Sequence, residues 1–116
     1  MTDLGPIPIF TTQLENSRES TDAANLRSAY AEVMTAALTQ SNDVDGVTRT
    51  GDKAGAYVYT ATVAACQTID GWQNETIKSG EIGGVKVDGN IEAVLDGSSW
   101  NVTYTESTGD VAFAKA

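Results

Sequence analysis

From Thr11 to Gln40, "TTQLENSRESTDAANLRSAYAEVMTAALTQ", the chain contains neither glycine nor proline. A continuous helix over this stretch would be roughly 45 Å long at 1.5 Å per residue. In a chain of 116 residues, which holds one domain with one modest core, such a helix exceeds the width of the head. Its front part is expected to protrude.

The two halves of the stretch read differently. Leu26, Tyr30, Val33, Met34, Ala37 and Leu38 recur at helical spacing, the stripe of a helix laid on a core. Ala23, Ala29 and Ala36 widen it and favour the helix. The front half is polar. Pro6 and Pro8 keep the residues before it extended, and Thr12 to Glu15 reads as a capping box. Glu15, Arg18, Glu19 and Asp22 then stand at spacings where opposite charges support an exposed helix that has little to pack against. "SNDVDG", Ser41 to Gly46, ends it with turn chemistry.

Beyond the turn the period falls to two. "AYVYTATVAAC" is rich in Val, Thr and Tyr and reads as a strand. "TIDGWQNETIKSGEIGG" is a punctuated connection whose Ile69, Trp72 and Ile77 are expected to tuck onto the core. "VKV" and "IEAVL" read as short strands joined by a tight turn at Asp88-Gly89-Asn90. In "WNVTYT", Trp100, Val102 and Tyr104 alternate with Asn101, Thr103 and Thr105, one face buried and one wet; "DVAFAK" follows after Glu106 to Gly109. The expected fold class is α+β: a long N-terminal helix over residues 11–40, packed against an antiparallel β-sheet meander within residues 54–116. Residues 1–10 are read as a leader or truncation remnant ahead of a head domain spanning 11–116.

The chemistry looked for is mostly missing. The net charge of −9 makes nucleic acid an unfavourable partner, because an acidic surface repels phosphate. With no histidine and Cys66 as the single cysteine, histidine-activated nucleophiles, internal disulfides and cysteine- or histidine-based zinc sites are excluded. Cys66, in the apolar run from Val63, reads as a small buried hydrophobe. Glu15, Glu19 and Asp22 read as helix-stabilising charge, not as an acid/base pair. Asp43, Asp45, Gly46 and Asp52, starting from Ser41, resemble a calcium loop only faintly, without the terminal Glu or a second helix. Gly83-Gly84 lacks the setting of a phosphate loop. The sequons at Asn74 and Asn101 are short enough to arise by chance. No catalytic, cofactor-binding or metal residue is assigned, and no enzymatic activity is expected.

"IPIFTTQLENSRESTDAANLRSAYAEVMTAAL" resembles the region that follows the membrane-inserted stretch of type IV pilins, particularly those of Gram-positive bacteria. Ile7-Pro8-Ile9-Phe10, Ser17-Arg18-Glu19, Thr21-Asp22 and Ala24-Asn25 carry the likeness, and "DGWQ" at Asp70 to Gln73 and the terminal "VTYTESTGDV" extend it loosely into the sheet. Members of that family begin with a processed hydrophobic segment of about twenty residues, where this sequence has "MTDLGP". The resemblance therefore implies a soluble truncated form of a structural subunit of a type IV pilus, a cell-surface fimbrium serving adhesion or twitching motility. It implies partners in the form of other pilin subunits and self-association in the filament, membrane anchorage through the missing segment before assembly, and an extracellular location. Residues Thr11 to Ala24 would form an exposed neck. The alternatives are a type II secretion pseudopilin, whose sheet loops often bind calcium, and a free soluble binding domain with no filament role.

Overall fold

The computed structural model describes residues 7–116, with side chains described from Thr11 onward. Helix α1 runs from Ile7 to Thr39. Pro8 falls in its first turn, where a missing N–H breaks no helical bond, so it does not keep the chain extended; Pro6 lies outside the described residues. Thr12 is consequently inside the helix and not at its N-cap. At the other end Gln40 takes φ 49°. Its N–H donates to the Ala37 carbonyl at 3.3 Å and the Ser41 N–H to the Ala36 carbonyl at 2.9 Å, the paired bonds that close a helix C-terminus. Arg49 Nη1 donates to the Gln40 carbonyl at 2.7 Å, and its guanidinium lies 4.1 Å from the Tyr57 ring centroid.

Strands β1 (Val47–Thr50), β2 (Val58–Ala64), β5 (Ser99–Thr105) and β6 (Asp110–Lys115) form one antiparallel sheet in the order β1-β2-β5-β6. Between β2 and β5 lie a one-turn helix α2 (Glu75–Lys78) and a two-stranded hairpin, β3 (Glu81–Ile82) with β4 (Val85–Lys86). The α+β class is as expected, and β2, β5 and β6 fall where alternation placed strands. The simple meander within residues 54–116 does not hold: β1 joins the sheet ahead of those bounds, and β2 pairs with β5 across a crossover of residues 65–98. The segment that faintly resembles a calcium loop is interrupted by β1. The hairpin turn falls at Gly83-Gly84, not at Asp88-Gly89-Asn90, and "IEAVL" forms no strand although Ile91, Ala93 and Val94 are buried.

The core lies between α1 and the inner sheet face. Ala23, Leu26, Ala29, Val33 and Ala36 pack with Tyr59, Ala61, Val63, Trp100, Val102 and Phe113. Leu38, expected in the stripe, is exposed, and Met34 and Ala37 are half-buried. The crossover adds Trp72 and Ile77, whereas Ile69 stays out. Trp72 and Trp100 stack at 6.0 Å with 10° between their planes. Their indoles donate to the carbonyls of Ile91 at 2.8 Å and Glu92 at 2.7 Å, so each buried ring satisfies its polar handle. Gly83, at φ +60°, sits against Tyr30, and a Cβ there would lie 2.6 Å from Tyr30 Cδ1. Only glycine accommodates both that backbone and that contact.

Candidate assembly surface

The stripe that faces the core does not end at Ala23. Glu15, Glu19 and Asp22 precede Leu26 by eleven, seven and four positions, which puts them on its face. All three are buried, at 1%, 0% and 0% exposure. This overturns their reading as solvated, helix-supporting charge. The one ion pair among the described residues is Arg18 to Glu15 at 3.4 Å, and Arg18 also donates to the Thr68 hydroxyl at 3.3 Å.

Each carboxylate instead accepts backbone N–H groups from the first part of the crossover. Asp22 takes those of Cys66 at 3.0 Å and Gln67 at 3.1 Å, together with the Gln67 side-chain amide at 3.0 Å. Glu15 takes those of Thr68 at 3.1 Å and Ile69 at 2.9 Å, and the Thr68 hydroxyl at 2.8 Å. Glu19 takes those of Gln73 and Asn74, both at 2.9 Å. These amides belong to an irregular segment without sheet partners, and buried N–H groups need acceptors. Ionised acceptors make the strongest such bonds. Burial alone would raise the Glu15 carboxyl, but the N–H groups of Ile69 and Thr68, the Thr68 hydroxyl and Arg18 hold it below its ordinary value of 4.5. Capping boxes and charge pairs are local readings, so sequence reasoning missed this partner some fifty positions away. The available signal was the register of the three acids with Leu26.

Cys66 is half-buried, not fully enclosed. Burial, with the hydrogen bond to Asp22 and its charge, pushes the thiol up to about 11, so it stays protonated and weakly nucleophilic at neutral pH. Asn74 caps α2, its side chain accepting from the N–H groups of Thr76 and Ile77. Asn101 accepts from the Thr62 hydroxyl at 2.9 Å on the outer sheet face.

In front of the clamp, Thr11, Thr12, Gln13 and Leu14 are exposed. The exposed stretch expected to reach Ala24 thus ends at Leu14, because the crossover takes hold of the helix at Glu15. The molecule measures 61 × 25 × 19 Å, and a 33-residue helix of about 50 Å accounts for most of the long axis. Among the described residues no helix is long and apolar enough to cross a membrane. No family model, curated protein or solved structure matches the chain.

Proposed function

We propose that the chain is the head and neck of a structural subunit of a type IV pilus-like filament, displayed outside the cell and partnered by other pilin subunits. The observation that supports this most is the continuity of α1: one helix leaves the head at Leu14 and continues forward to Ile7. A filament subunit needs such a rod, with one end for bundling and the other for carrying a head. The buried carboxylates suit the same role, since they lock the crossover to the rod just where pull on the helix would enter the head. The sequence resemblance over Ile7 to Asn25 adds the family. On this reading, anchorage before assembly is through a hydrophobic segment continuing α1, and the fibre serves adhesion or twitching motility.

The test is immunogold electron microscopy of cells that express the natural gene, labelled with antibody against the purified head. Gold along thin surface fibres is the expected result, with a natural coding sequence that places about twenty apolar residues directly before Ile7. Diffuse labelling without fibres, or a gene lacking that segment, would overturn the proposal.

A further inference from the structure

One edge of the sheet is incomplete. The β1–β2 register ends at Val47 opposite Ala61, while β2 continues to Ala64. The Ala65 N–H donates to the Ser98 carbonyl and the Tyr57 carbonyl accepts from the Glu106 N–H. Odd-numbered residues of β2 therefore turn their main-chain groups toward β5, and Thr62 and Ala64, by alternation, turn theirs the other way. There β1 has already ended. No backbone partner meets Thr62 or Ala64 on that side among the described residues. Their main chain opens into a groove of about 340 Å³, walled by Asn25, Ser28, Ala29 and Glu32 of α1 and ended by Gly46.

We propose that this groove takes an extended peptide segment bearing a lysine or arginine, added as a short antiparallel strand in line with β1. Unpaired strand edges are templates for such addition, with main-chain bonds giving affinity and side-chain pockets giving specificity. The volume suits two or three residues. Charge selects the occupant. The Glu32 carboxylate stands 3.6 Å from the position a Cβ on Gly46 would take, and it has no cationic partner among the described residues. A residue opposite Val63 would point toward α1, as Val63 does, and so toward Glu32. Its two neighbours would bond to Thr62 and Ala64. The overall charge of −9 also favours a cationic visitor. This inference does not depend on the filament reading.

The test is amide NMR titration of the intact chain with the capped tripeptide Val-Lys-Val, which fits opposite Thr62 to Ala64 without reaching the place of Val47. Saturable shifts centred on Thr62, Ala64 and the Ser28–Glu32 turn are expected. Glu32→Gln, an exposed substitution that leaves the fold intact, should weaken binding about fivefold, as for one partly exposed ion pair. Methylating the backbone nitrogens of both valines should abolish it. Absence of saturable shifts, shifts centred elsewhere, or binding indifferent to Glu32→Gln or to methylation overturns the proposal. Concentration-dependent shifts at the same amides without peptide would assign the groove to a second copy of the chain and overturn it equally.

Discussion

From Glu15 to Ala36, α1 presents one continuous buried face, but its front and rear parts hold the rest of the fold by different physics. From Ala23 to Ala36 the face is apolar and packs on the sheet. Its stabilisation scales with area removed from water, has no required direction, and is indifferent to protonation. From Glu15 to Asp22 the face is made of carboxylates that meet main-chain N–H groups of the crossover. Those bonds are directional, need the ionised acceptor, and leave expensive orphans when broken. A loop can therefore be fixed on a helix through its main chain, where a sheet is fixed through its side chains. The contrast also implies that the two attachments fail under different conditions.

The largest expected effect is in the front half. Asp22→Ala strands the N–H groups of Cys66 and Gln67 and the Gln67 amide, and should lower the unfolding free energy by about 4 kcal/mol, read by urea denaturation. A loss under 1 kcal/mol would mean that water replaces the carboxylate and that the clamp is weak. In the rear half, Leu26→Ala should cost about 3 kcal/mol through lost burial and a cavity. That cost should be the same at pH 7 and pH 4, and a marked pH dependence would break the division between the halves.

Gly83→Ala tests whether the rear half also grips the crossover, through Tyr30. With its Cβ 2.6 Å from the ring and φ at +60°, it should cost about 2 kcal/mol, visible as a lowered Tm. An unchanged Tm would show that Tyr30 yields freely. Glu15→Gln should cost about 1.5 kcal/mol at neutral pH, and its sign with pH can be worked out. The folded Glu15 carboxyl lies below 4.5, so its stabilisation is present above that value and is lost as pH falls through the lower folded one. The wild-type and Glu15→Gln curves should converge in that acidic window. Hydrogen exchange at Thr68 and Ile69 should accelerate there before exchange in β2 and β5 does; simultaneous loss of both would contradict separate attachments. The smallest effect is at the boundary itself. Leu14→Ser, one residue ahead of the clamp and exposed, should change stability by less than about 0.5 kcal/mol. A larger loss would move the start of the head forward along the helix.

Local pattern determined a good deal of this protein. The absence of glycine and proline and the apolar spacing after Leu26 were enough for α1 from Thr11 onward, but not for its start at Ile7, where Pro8 enters the first turn. Alternation marked β2 and β5, and a turn at Glu106 to Gly109 joined β5 to β6. Helical and strand periods arise from contacts a few residues apart, so a single sequence carries them. The crossover was different. There α2, the β3–β4 hairpin and the irregular run that buries Val87, Ile91, Ala93 and Val94 follow no period, because each residue's environment is set by α1 and the sheet. Turn chemistry could not choose between Gly83-Gly84 and Asp88-Gly89-Asn90; the approach of Tyr30, about fifty positions away, favours the first. The same holds for the acids. Glu15, Glu19 and Asp22 were visible as charges at helical spacing, but a carboxylate on a helix is equally suited to water, to a nearby arginine or to a distant row of amides. Only tertiary structure supplied the amides, because irregular backbone buried against a helix must find acceptors and those three carboxylates are the ones within reach.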